Sequence, residues 1–186
     1  FLCCILTVSV LTFKVSALGQ TDYVIDSYGK TPLPMCYVAD KKIERVYAGS
    51  YLDKPKNMFI DSSDNLYVAD SANNRIVKFN SEMEFVKEFT VSNSLNNPSG
   101  VHYDDKIKEL YIADTDNERI AVVDENDKFI REYRKPKSEL LDEDMTFNLT
   151  NISLGIQGYI YLIKGQNFMQ LNQDGAFKGY VGSTKV

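Results

Sequence analysis

The residue types best suited to chemistry occur in two matching sets. Asp70, Asn73 and Arg75 recur as Asp114, Asn117 and Arg119, each 44 positions later. A carboxylate five residues before a guanidinium, across a turn, could line a ligand face. It could equally hold the turn to its neighbours by charge-assisted hydrogen bonds. Recurrence in register with the surrounding pattern favours the structural role. A second group, Asn57, Asp61, Ser99 and Asp104, flanks the apolar run that opens each repeat. Oxygens converging from several repeats would suit Ca²⁺ or another divalent ion, because hard cations take about 6–8 oxygen ligands. The competing reading of the same residues is ordinary turn and strand-end chemistry. Asp61-Ser62-Ser63-Asp64-Asn65 reads as a hairpin turn, and no Asp-x-Asp-x-Asp loop occurs.

His102 is the only histidine of the chain. On an inner strand it could serve as a base toward a central channel, but a packed or hydrogen-bonded strand histidine is the favoured reading. A phosphate-cradling glycine loop and a Gly-x-Ser-x-Gly elbow are both missing from the sequence. No catalytic residue is therefore assigned, no cofactor beyond that divalent ion is expected, and the reading leans to a non-enzymatic protein.

Composition narrows the partners. The 186 residues are 44% hydrophobic and 12% aromatic, as in a globular protein. With 21 basic against 26 acidic residues the net charge is −5, which opposes nucleic-acid binding. Three cysteines and one histidine leave little material for Cys- or His-rich metal sites.

The elements that must position these side chains are short strands. The segment from Pro55 to Phe89 aligns with that from Pro98 to Tyr133, one extra residue lying in the turn from Asp104 to Glu109. Each repeat reads as four strands separated by Ser, Asp and Asn clusters. Runs such as Leu66-Tyr67-Val68-Ala69 are apolar at every position, so both faces of each small sheet must be covered. A period in the forties with four strands per period is the pattern of propeller blades. A third, degenerate repeat follows over 147–182, with Lys164-Gly165-Gln166-Asn167 where the others carry Asp and Arg. Ile43 to Tyr47 reads as the last strand of a preceding blade, and Ser138 to Asp144 as a connecting loop.

The N-terminal run Phe1 to Phe13 is uncharged and is followed by Val15-Ser16-Ala17. It reads as a secretory signal peptide over 1–17, so a secreted, extracytoplasmic location is expected, with membrane contact only if the signal is retained. Cleavage would leave Cys36 as the lone cysteine. Residues 18–42, with Gly29, Pro32 and Pro34, read as an irregular lead-in.

At Leu66-Tyr67-Val68-Ala69-Asp70 and Leu110-Tyr111-Ile112-Ala113-Asp114, each followed after four intervening residues by Arg-Ile, the chain resembles the NHL-repeat β-propellers, with a lead-in like that of exported bacterial members. The resemblance implies an all-β fold over 43–186. Three four-stranded blades, at 55–90, 98–134 and 147–182, would form part of a six-bladed ring. A ring of that kind needs about 260 residues, so the chain is expected to be truncated. For function it implies a binding platform for a protein or carbohydrate-related ligand, or alternatively a metal-dependent lactonase-like hydrolase with a channel site.

Overall fold

A computed structural model describes residues 23–26, 29–32, 43 and 45–182 of the chain. It divides into two compact units, Phe1–Lys42 and Ile43–Val186. In the first, β1 (Tyr23–Asp26) and β2 (Gly29–Pro32) pair antiparallel, Tyr23 opposite Pro32 and Asp26 opposite Gly29. Within the stretch 18–42, expected to be irregular, 23–26 and 29–32 are thus paired strands. Their two strand-breaking residues sit where a strand tolerates them: Pro32 at one terminus of β2, and Gly29 with φ of 122° at the other. The signal segment 1–17 and Cys36 lie outside the described residues.

The second unit opens with a hairpin, β3 (Arg45–Tyr47) and β4 (Ser50–Tyr51). Three four-stranded antiparallel sheets follow, each with its strands side by side in chain order. The first sheet holds β5 (Pro55–Ile60), β6 (Leu66–Asp70), β7 (Arg75–Phe79) and β8 (Phe85–Phe89). The next is β9 (Pro98–Asp104), β10 (Glu109–Asp114), β11 (Arg119–Asp124) and β12 (Phe129–Tyr133). The last is β13 (Asn151–Leu154), β14 (Ile160–Lys164), β15 (Asn167–Leu171) and β16 (Phe177–Tyr180).

The sheets stack face to face. Tyr67, Ala69 and Ile76 of the first pack with Val101, Tyr103, Leu110 and Ile112 of the second in one buried cluster. Tyr111, Ala113, Ile120 and Val122 of the second pack with Ile152, Ile160, Leu162 and Met169 of the third in another. On the far side of the first sheet, Leu66, Val68, Val77 and Phe79 pack against Val46 of β3. The central strands β10 and β11 of the middle sheet therefore bury both faces, which is why their apolar runs do not alternate, whereas the outer strand β12 has no buried residue.

The stack fans out because its inner edges touch. The first strand β9 lies beside both β5 and β13, whereas the outer strands β8, β12 and β16 come no closer than weak contact. Gly100 in β9 permits this closeness: a Cβ there would lie 2.9 Å from the Cα of Asn151 and 3.2 Å from the Cβ of Ala113. Three radially stacked, four-stranded sheets with converging first strands make a partial β-propeller.

Candidate functional site

Asp70 and Asp114 end the second strands of their blades, and both side chains are fully buried. Each is followed by a 3₁₀ turn closed by a left-handed residue, Asn74 (φ 53°) or Glu118 (φ 51°). Neither carboxylate caps its own turn. Instead, Asp70 accepts from the Asp53 backbone N–H at 2.7 Å, from Asn73 Nδ2 at 2.9 Å and from Arg75 Nε at 2.8 Å. Arg75 then donates to Glu88 at 2.9 Å, to Ser50 Oγ at 2.9 Å and to the Tyr51 carbonyl at 3.1 Å.

The second blade repeats the design. Asp114 accepts from the Asn96 N–H (2.7 Å), Asn117 Nδ2 (2.8 Å) and Arg119 Nε (2.7 Å). Arg119 reaches Glu132 at 3.1 Å and both the hydroxyl and carbonyl oxygens of Ser94. In each blade, then, Asp, Asn and Arg grip the linker that enters that blade. Hydrogen bonds to Asp and Glu outweigh burial and raise both guanidinium pKa values, so both arginines stay charged. Glu88 and Glu132, 44 positions apart, complete the sets; that matched spacing was the signal that could have found them.

The second group of residues does not converge on one point. Asn57 Oδ1 accepts from the Val101 N–H at 3.3 Å, linking two inner strands. Ser99 Oγ donates to the Leu149 carbonyl at 2.8 Å, and Thr115 Oγ1 donates to the same oxygen at 2.9 Å. Asp61 organises its own hairpin turn, accepting from Ser63 N, Asn65 N, Asn65 Nδ2 and the Tyr67 hydroxyl. Burial pushes its carboxyl upward, but those hydrogen bonds prevail and hold it below the usual carboxylate value. Asp104 Oδ1 accepts from the backbone N–H of Lys106 and Ile107. Among the described residues no group of three His, Cys, Asp or Glu side chains is placed to hold a metal ion.

His102 stands apart. Its ring lies 4.2 Å from that of Phe59 and has no hydrogen-bond partner among the described residues. Burial depresses its pKa below the ordinary value, against the upward pull of Asp104 and Asp105, which favours the neutral imidazole. It borders a cleft of about 610 Å³ reached from the face that carries the first and third hairpin turns of the blades. Phe59, Tyr111, Tyr133, Leu154 and Ile160 supply much of the apolar wall.

One wall is held by Arg131, whose guanidinium lies 5.6 and 5.8 Å from the ring centres of Tyr111 and Tyr133. It pairs with both oxygens of Glu109 and donates to the Tyr111 and Tyr133 hydroxyls. Tyr133 passes the chain on to the Gln173 carbonyl at 2.9 Å, tying the second blade to the third. Burial pushes the Tyr111 hydroxyl up to about 12, so it stays protonated. Sequence reading singled out neither Arg131 nor Glu109: they meet across β10, β11 and β12, 22 residues apart, and their counterparts in the first blade, Lys87 and Asn65, do not repeat the charge pair.

The fold and the cleft define a partial β-propeller with a small-ligand-sized concavity. Solved structures of propeller proteins are similar in fold. A gluconolactonase from Xanthomonas campestris superposes with a TM-score of 0.59 at 13% identity, covering 81% of this chain and 54% of that one. A catalytically inactive virginiamycin B lyase from Staphylococcus aureus, solved with quinupristin, gives 0.52 at 18% identity, with 83% and 46% covered. A streptogramin B lyase gives 0.52 at 15% identity, with 67% and 39% covered. The chain thus spans about half the length of these proteins or less. No protein-family model and no curated protein sequence matches it.

Proposed function

We propose that the protein is an exported, non-enzymatic binding module of the NHL-repeat type, a platform for a protein or carbohydrate-related ligand. One observation carries this reading: the charged residues of the repeat motif grip their own linkers, while the aromatic cleft holds an imidazole without a hydrogen-bond partner among the described residues. Concave, mostly apolar clefts with a few unsatisfied polar groups are where small ligands bind. The net charge of −5 supports partners other than nucleic acid. The uncharged apolar run of 1–13 followed by Val15-Ser16-Ala17 supports export by a signal peptide over 1–17, with membrane contact only through a retained signal.

A second reading, a metal-dependent lactonase-like hydrolase, draws its support from the gluconolactonase among the structural neighbours. Melting curves of the chain with excess Ca²⁺ and with chelator, run beside a lactone hydrolysis assay, separate the two. A ligand that binds only the native state at a hundredfold excess over its Kd adds about 2.7 kcal/mol of stability. The binding module predicts superimposable curves and no turnover. An upward shift with Ca²⁺ together with lactone hydrolysis would replace it with the hydrolase.

A further inference from the structure

We propose that the cleft between the second and third blades binds a neutral saccharide, with Asp104 and the His102 imidazole as its polar contacts. The inference rests on the binding-module reading and names the ligand class for that site. Three properties of the cleft select the class.

The first is charge. Six charged side chains stand in or beside the cleft: Asp104, Asp105 and Glu109 against Lys106, Lys108 and Arg131. Their formal sum is zero. The cation best placed to clamp an anion, Arg131, spends four of its five N–H groups on Tyr133, Glu109 and Tyr111. A phosphate or carboxylate held by a bidentate fork would have to displace some of those bonds. A cationic ligand would meet Lys106 and Lys108 on the same loop as the two aspartates. An uncharged ligand meets neither obstacle.

The second is the set of polar groups left open. Asp104 uses Oδ1 for its loop, while Oδ2 has no partner among the described residues. Neutral imidazole offers one donor and one acceptor, and neither ring nitrogen of His102 has a hydrogen-bond partner among the described residues. A hydroxyl both donates and accepts, so vicinal hydroxyls can satisfy a carboxylate oxygen and an imidazole together.

The third is the apolar wall. Phe59, Tyr111, Tyr133, Leu154 and Ile160 form flat or aliphatic surface beside those polar groups, and Ile156 stands 94% exposed at the margin. A pyranose carries C–H groups on its ring faces and hydroxyls around its rim, which matches an apolar wall edged by hydrogen-bonding groups. The cleft volume of about 610 Å³ falls within the ~300–1,000 Å³ range of small-ligand sites.

The test is titration of the isotope-labelled full chain with probes of three classes, followed by backbone amide chemical shifts. Cellobiose, xylobiose, maltose and N,N′-diacetylchitobiose represent neutral saccharides; glucose 6-phosphate is the anionic probe and tetralysine the cationic one. At least one neutral disaccharide should shift the amides of His102, Ile156 and Gly158. His102→Ala and Asp104→Asn should each raise its Kd at least tenfold, and Leu140→Ala, outside the cleft, should leave it unchanged. Binding of only glucose 6-phosphate or tetralysine at those amides would overturn the saccharide assignment while leaving the binding module standing. No shift at the cleft with any probe would overturn the saccharide assignment, and the binding-module reading would stand or fall by the calcium and lactone assays above. Binding that His102→Ala and Asp104→Asn leave intact would overturn the assigned contacts and with them the proposal.

Discussion

The first two blades and the third solve the same assembly problem by different means. In the first two, a buried Asp–Arg pair reaches back to the incoming linker, through Asp53, Ser50 and Tyr51 in one case and Asn96 and Ser94 in the other. The third blade has no such pair. Its second and third strands are joined by the two-residue turn Gly165-Gln166, with Lys164 opposite Asn167, so the 3₁₀ turn that presents Asp, Asn and Arg has no room to form. Its incoming linker is instead anchored by apolar burial of Leu141, Phe147 and Leu149 and by two hydrogen bonds from Thr150 to the Ile163 carbonyl. Polar staples thus hold short linkers in the first two blades, whereas a longer linker buries side chains of its own.

The contrast predicts the largest effect at the staples. Asp114→Ala leaves the Arg119 guanidinium, 12% exposed, without its buried carboxylate, and breaking such pairs costs about 3–5 kcal/mol. Lys164→Ala, at the corresponding place in the third blade, should stay within about 0.5 kcal/mol of the parent. Chemical denaturation of both variants checks this, and equal losses would break the comparison. Asp70→Ala should behave like Asp114→Ala, because Arg75 is still less exposed, at 8%.

A smaller effect is expected where blades meet by close approach. Gly100→Val places side-chain atoms against the β13 backbone, where even a Cβ would sit 2.9 Å from Asn151 Cα. Over-packing of this kind costs about 1–3 kcal/mol. The same substitution at Gly165, where an added Cβ meets nothing but φ is 58°, tests backbone strain alone. A Tm loss at Gly165 matching that at Gly100 would show that contact between inner strands is not the source.

The smallest effects concern protons. Asp61 has a lowered pKa in the folded state. Its contribution is therefore present above the unfolded value near 3.8 and disappears as pH falls through the lower, folded value. His102, also lowered, favours folding above its ordinary 6.5, and that contribution declines as pH drops below it, because the unfolded chain binds the proton more readily. His102→Gln should flatten the Tm profile just below pH 6.5, and Asp61→Asn should flatten it only below pH 4. Unchanged slopes in both variants would contradict these assignments.

Much of this was legible in the residues. The 44-residue recurrence of Asp70 and Arg75 as Asp114 and Arg119, the turn clusters and the doubly apolar strands led to four-stranded blades at the observed places. The paired strands 23–26 and 29–32 were not legible, since Gly29 and Pro32 signal irregularity unless their strand-terminal positions are known. Arg131 and Glu109 stayed hidden because nothing local distinguishes an exposed strand arginine from one clamped between two tyrosines.

Periodicity and turn chemistry act over a few residues, so the sequence by itself determined the strands, their order within a sheet and the recurrence of the staples. Which oxygen each staple grips, how near β9 comes to β13 at Gly100, and the gathering of Phe59, His102, Tyr111 and Tyr133 around one cleft were decided by tertiary structure alone. Those contacts join groups tens of residues apart, and their geometry follows from how one sheet settles against the next.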